Sequence, residues 1–425
     1  MVVLKHKDKG EQVARPRWLR GSRRSWERIG FLKLAALLIS RYGPSEDFVE
    51  KVRTHINSAI NVSYDPELVR WLSSNGLLDR QDLKEIASKC NLDMRLQYWW
   101  AFNAPVQTGW LSREAIPEYF GFFPRKTGIL EDNFDISELG RTLLLGFMPS
   151  DEIAVWEGTS VSTGSPLILT KGQRVFFVYS ILESDGDFML PLLMEWVHSL
   201  GSKTFTYLDA GRLMPSALDR MAANFRGSAY SSDDQREIRE IERVRDLITQ
   251  QNEMNIEKVG LGSRREQMSI PRLEWLVDLG VLQKENTRSY RFTKEGLLLV
   301  DDLVTHYQDL SSRYYPEDCL LKLLNQHLFG PTLRFLCSQA KQAELNDCLR
   351  LLKEAYQVAK GTLGYVLLRS LLLLIHGWQA ETDTPTFVEY DDALQAVETE
   401  SRVDPESVYY TVDRLGNEHQ VKFAA

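Results

Sequence analysis

Glu183, Asp185 and Asp187 lie within five residues of one another, and carboxylates so spaced could hold a divalent cation. Asp185-Gly186-Asp187 is also turn chemistry, because Asp bonds its own backbone and Gly accepts φ of either sign. A polar turn between two apolar helices is therefore the expectation. A metal-dependent nuclease would also need a strand carrying Asp or Glu, one residue, then Lys, with a further acid before it. No convincing instance occurs. The chain has seven histidines, and none pairs at HxH or HExxH spacing. His198, His306, His327 and His376 fall on helical patterns and are expected to be half-buried and satisfied. Cys90, Cys319, Cys337 and Cys348 form no CxxC and read as core thiols, without a disulfide framework or zinc site. No GxxxxGK[ST] occurs, nor a GxGxxG after a strand. No cofactor is indicated and no reaction, so the chain reads as non-enzymatic. A divergent nuclease using Asp185 and Asp187 is a secondary alternative.

The remaining chemistry is phosphate contact. Arg264 and Arg265 precede a helix expected over Pro271–Asp278, Ser269 is placed to cap it, and Arg272 falls in its first turn. Free N–H groups at such a helix start favour an anion. Lys284 and Arg288 flank the turn of a short strand pair that follows. A second set lies upstream, with Arg113 at the start of a helix running to Phe120 and Arg125 and Lys126 in the turn after it. The segment from Lys5 to Lys33 is also basic, with Trp18 and Trp26 interleaved. Such an arm could follow a phosphate backbone, or form a leader whose tryptophans dock on the first helix. The net charge of −8 excludes a protein that coats nucleic acid by bulk electrostatics, so any contact must be local.

The elements that must position these cations show one pattern twice. A helix ends at Gly and two apolar residues, a polar turn and a strand follow, and Ser or Thr with Gly three residues on opens the next helix. The copies read Tyr119-Phe120-Gly121-Phe122-Phe123 to Ile136-Ser137-Glu138-Leu139-Gly140, and Asp278-Leu279-Gly280-Val281-Leu282 to Phe292-Thr293-Lys294-Glu295-Gly296. Around the second copy, helices are expected over Val175–Leu182 and Phe188–Leu200, with a long insertion from Gly201 to Val259 that includes a charged helix over 232–251. Beyond Tyr307 the pattern is helical to Trp378. Val408–Val412 and Gln420–Phe423 then predict a hairpin around Leu415-Gly416-Asn417. The most apolar run, Leu363–Trp378, is broken by Arg369 and His376 and reads as a buried helix rather than a membrane span. The charged N-terminus lacks the apolar run of a signal peptide, which predicts a cytoplasmic protein.

These two modules resemble the winged-helix superfamily of bacteria and archaea, which includes regulators and the DNA-reading parts of restriction and phage-defence proteins. The resemblance covers roughly residues 80–150 and 170–305, and its motif is common across that superfamily. It implies a mainly α fold with small β wings, as tandem winged-helix domains plus helical N- and C-terminal regions. The expected division is a basic arm over 1–28, a helical unit over 29–80 and a first winged helix over 81–150. A second winged helix follows over 168–307 with a helical insertion at 201–259, then a helical domain over 308–380 and a hairpin tail over 381–425. The resemblance further implies double-stranded DNA as partner, contacted by Arg264, Arg265, Arg272, Lys284 and Arg288 and by Arg113, Arg125 and Lys126. A recognition or accessory subunit of a multi-protein system, such as anti-phage defence, follows by analogy, with an ATPase or nuclease as protein partner and a homodimer as a further option. The alternative is a kleisin-like scaffold whose winged helices bind a partner ATPase.

Overall fold

Apolar residues recur at three- and four-residue spacing through most of the chain, so helices dominate and the strands are short. The computed structural model describes residues 16–19, most of 29–40, 122–131, 136–148, 169–226, 232–254, 264–286, 289–360, 364–412 and 419–424. Contacts divide the chain into two compact units, one of Met1–Leu19, Val175–Ser269 and Gly280–Ala425, the other of Arg20–Arg174 and Ile270–Leu279. The part of the expected helical unit beyond residue 40, and the helix expected to run to Phe120, lie outside the described residues.

In the second unit, α1 (Phe122–Lys126) ends at a turn, and α2 (Glu138–Thr142) continues into a π-helical turn at Leu143–Phe147. Thr170 caps α3 (Lys171–Leu200), its hydroxyl accepting the Gln173 N–H while Gln173 Oε1 accepts the Thr170 N–H. Gln173 also donates to the Phe147 carbonyl and accepts from Lys33 Nζ at 3.0 Å. Lys33, the last cation of the expected basic arm, is thus fully buried rather than offered to phosphate.

The first copy of the repeated pattern is displaced from its expected register. Phe122 and Phe123 are helical, and among the described residues of this copy the glycine at positive φ is Gly128, at +75°, in Thr127-Gly128-Ile129-Leu130. Its counterpart, Gly280, stands at +83°. In both copies one hydroxyl closes the return. Ser137 donates to the Gly128 and Ile129 carbonyls and accepts the Gly140 N–H at 2.9 Å. Thr293 donates to the Gly280 and Val281 carbonyls and accepts the Gly296 N–H at 2.9 Å. A Cβ on Gly140 would stand 2.2 Å from the Ile129 carbonyl oxygen, and one on Gly296 2.2 Å from that of Val281. Only glycine lets the helix start so close to the opposing backbone.

The first unit is built on α3. Residues 171–200 form one helix, so Asp185-Gly186-Asp187 does not turn the chain. The reason is a long-range partner: Asp185 Oδ1 accepts the Leu19 N–H and Asp187 Oδ2 the Arg17 N–H, each at 2.7 Å. Both acids are buried. Gly186 makes room for Leu320, whose side chain would stand 2.7 Å from a Cβ there. Trp18 is buried, edge-on to Phe188, and donates to Glu237 at 2.8 Å.

After α3 come β1 (Phe205–Thr206), α4 (Tyr207–Arg212), α5 (Met214–Arg226) and α6 (Ser232–Glu253). Thr206 and Asp209 form a reciprocal capping box on α4. The charged helix α6 is not wholly solvated: Ile241, Val244 and Ile248 are fully buried, and it packs along α5. Helix α7 (Arg264–Asp278) leads through Gly280 into β2 (Leu282–Asn286) and β3 (Ser289–Phe292), and Thr293 caps α8 (Lys294–Ser311). The three strands form an antiparallel sheet in the order β1–β3–β2, with Phe205 against Tyr290 and Phe292.

Helices α9 (Pro316–Lys322) and α10 (Phe329–Leu336) enclose a π-helical turn at Leu323–His327. Then follow β4 (Lys341–Gln342), α11 (Leu345–Ala359), β5 (Val366–Leu367), α12 (Leu368–Gln379), β6 (Thr386–Phe387) and α13 (Tyr390–Val403). The predicted hairpin is present as β7 (Val408–Val412) and β8 (His419–Phe423), with β5 added on the β8 side. The apolar run ends in α12, which is buried, and no described helix is long and apolar enough to cross a membrane. Cys319 and Cys348 are buried thiols, Cys337 is half-buried, and none of the three is bridged. His376 lies fully buried on α12, stacked on Phe329, which Tyr179 stacks in turn. Its Nε2 accepts the Val388 N–H at 3.1 Å, so Nδ1 carries the proton donated to the Leu372 carbonyl. His198, by contrast, is exposed.

Replacing Thr293 by Val removes the cap and should cost about 0.5–2 kcal/mol, while Thr293→Ser retains most of it. Gly296→Ala, forced against a carbonyl, should cost about 1–3 kcal/mol, and urea denaturation of the three variants measures these differences. Burial lowers the His376 pKa from 6.5 to about 4. The folded state therefore holds the neutral ring where the unfolded chain takes up a proton. This contribution is complete above pH 6.5 and is lost as pH falls towards 4, in total about 3 kcal/mol. His376→Phe should flatten the decline in stability between pH 7.5 and about 4.5 by roughly 2–3 kcal/mol relative to wild type.

Candidate nucleic-acid interface

Basic residues can read a phosphate only where their heads reach solvent, and the predicted set divides on that test. Arg265 is buried: its N–H donates to Gln251 Oε1, and its guanidinium donates to Asn252 Oδ1 at 3.0 Å. Burial lowers its pKa, though acidic Glu266 beside it acts in the opposite sense. Its stem lies against Gly211, where a Cβ would stand 2.6 Å from Arg265 Cγ. Arg272 is fully buried, with its guanidinium 5.8 Å from the Trp275 ring centre. Both arginines are corrections to the sequence reading. Helix α7 begins at Arg264, so Ser269 and Arg272 are interior rather than at its start, and the buried Ser269 does not cap it.

The other predicted cations fare differently. Arg264 is half-buried in the first turn of α7. Lys284 is exposed on β2, its ammonium 5.7 Å from the Tyr290 ring centre. Arg288 and Arg113 lie outside the described residues. Arg125 is half-buried and Lys126 exposed, but both occupy the last turn of α1 rather than a wing. The connection between Leu130 and Ile136, which form the bridge there, carries Glu131, Asp132 and Asp135 and is acidic.

Two cations were missed. Arg291 on β3 is 46% exposed and pairs with Glu285 on β2 at 2.9 Å, and Lys294 is exposed in the first turn of α8. The signal for Arg291 was alternation: in Tyr290-Arg291-Phe292 the aromatic residues are buried and the arginine between them must face outward. The second copy thus offers Lys284 exposed on β2 and Arg291 exposed on β3, on opposite faces of the strand pair, since Lys284 is paired with Tyr290 and Arg291 with Gln283. Glu285 tempers that surface.

Among the described residues no group of three or more His, Cys, Asp or Glu could hold a metal ion. Glu183 instead accepts from Tyr179 at 3.2 Å and pairs with Arg369 at 3.5 Å.

The two classes of cation separate by stability. Arg272→Ala should destabilise by about 2–4 kcal/mol as a buried side chain is lost, whereas Lys284→Ala should stay within about 0.5 kcal/mol. Thermal denaturation compares the two. No protein-family model, no curated protein and no solved structure matches this chain.

Proposed function

We propose that the chain is a non-enzymatic, DNA-binding recognition or accessory subunit built on tandem winged helices, acting within a larger DNA-handling system such as anti-phage defence. The observation that carries the reading is the order of elements in the second copy. A helix precedes β1, α4 follows it at once, α7 leads into β2, β3 returns, and the sheet order is β1–β3–β2. A winged helix has this order, with α5 and α6 as an insertion between its second and third helices. The exposed Lys284 and Arg291 then lie on the wing strands, where such modules touch the phosphate backbone. The assignment to a defence system rests on fold-level analogy.

The first copy favours a different duty. Its connecting segment is acidic, and Leu145 in the following π-helical turn is 68% exposed. Acid repels phosphate, and an exposed leucine suits a protein surface. That module fits docking onto a partner subunit, as in the kleisin-like alternative.

Binding of a labelled duplex, titrated with salt, tests the reading. Affinity is expected to fall steeply with log salt, and Lys284→Ala and Arg291→Ala should each weaken it and lower the slope by about 1. Absence of binding at about 50 mM salt would sink the proposal.

A further inference from the structure

We propose that the cavity bounded by α8, the π-helical turn at Leu323–His327, α10 and the start of α13 binds a small organic cation, an ammonium or guanidinium group, with the Glu389 carboxylate as its counter-charge. The cavity has a volume of about 300 Å³ and is lined by His306, Gln326, His327, Arg334, Glu389 and Asp391, among others. That volume is at the lower end for small-molecule sites.

Glu389 is a half-buried carboxylate on the cavity wall. It is the residue before α13, yet its carboxylate makes no capping bond. The carboxylate sits against Gly330, where a Cβ would stand 2.7 Å from Glu389 Oε1, so the absence of a side chain there leaves space for it. Burial raises its pKa above the usual carboxylate range. Arg334 opposes the rise, and Asp392, Asp391 and Asp302 add to it. The one guanidinium in the cavity is already engaged. Arg334 is 49% exposed, lies 5.2 Å from the Phe387 ring centre and stands 3.9 Å from Asp302. Carboxylates therefore outnumber fixed cations around the cavity, and a bound cation would relieve the repulsion that an anion would increase.

The histidines supply the wall. His306 and His327 stack with centroids 4.1 Å apart and planes 9° from parallel. Burial first, and His306 second, lower the pKa of His327, so its ring stays neutral with a lone pair to offer a donor. His306 stands 3.4 Å from Asp302. Gln326 and His327 project from a π-helical turn, a distortion found frequently at functional sites because it re-aims side chains.

The test titrates the full chain with agmatine, with N-acetyl-arginine methylamide standing for an arginine on a peptide, and with inorganic phosphate, following the His306 and His327 ring signals by NMR. Saturable shifts with either guanidinium compound at about millimolar concentration are expected, with phosphate inert. Saturation by the amide alone would place the cation on a peptide, and saturation by agmatine would place it on a free amine. Glu389→Gln should weaken binding at least about tenfold without lowering the thermal midpoint, and Asp391→Asn, on the exposed first turn of α13, should weaken it less. If neither guanidinium compound saturates by tens of millimolar, or phosphate binds more tightly, or Glu389→Gln binds as well as wild type, the proposal is wrong. Should Glu389→Gln fail to fold by circular dichroism, Asp391→Asn decides, since undiminished binding there would also overturn it. None of these outcomes bears on duplex binding.

Discussion

The polypeptide reverses twice at a point where one hydroxyl must serve two strands and a helix at once. Ser137 and Thr293 each donate across to the carbonyl of a left-handed glycine and accept the N–H of a second glycine three residues on. The hydroxyl has one proton and two lone pairs, so it can satisfy an exposed carbonyl and an orphan helix N–H together. Everything downstream inherits this geometry. Closing Thr293 on Gly280 places Val281 opposite Thr293, sets β3 against β2 and hence the side chains that face outward. Arg291 reaches solvent because Tyr290 and Phe292, on either side of it in β3, are drawn inward beside Phe205.

The clamp also shows why part of this fold was legible in the sequence. Ser or Thr followed by Gly three residues on is a local signal, and both helices begin where it places them. The partner glycine was harder. Gly121 and Gly128 are seven residues apart, and a helix of five residues separates them. The strand β1 left no readable pattern, because two residues carry no alternation, and its existence depends on pairing with β3, more than eighty positions away.

Charge misled where burial reversed its meaning. Asp185 and Asp187 read as a polar turn, since the residues that bind them, Arg17 and Leu19, lie about 170 positions upstream and contribute backbone rather than side chains. Arg265 and Arg272 read as a phosphate-binding pair, since arginines near a helix start usually face water. Here the helix starts earlier, and both guanidinium groups turn inward. A long arginine can bury its stem along Gly211 and still place its head on an amide, which no count of cations reveals. His306 and His327 were likewise read as ordinary helical residues, because their stacking joins two helices that share no sequence signal.

The two copies are therefore alike in backbone and opposite in surface. The clamp spans nine positions in the first copy and thirteen in the second, where β2 and β3 fill the interval. A hairpin of the length of β2–β3 can present side chains beyond the body of the helix that precedes it. Acid fills the short connection, while exposed Lys284 and Arg291 sit on the longer strands. Length and charge thus change together. The β2–β3 pair carries exposed cations, while the sequence between Leu130 and Ile136 is acidic. On the proposed function, a net charge of −8 asks only that the β2–β3 pair be locally basic, with acidic surface elsewhere limiting nonspecific contact.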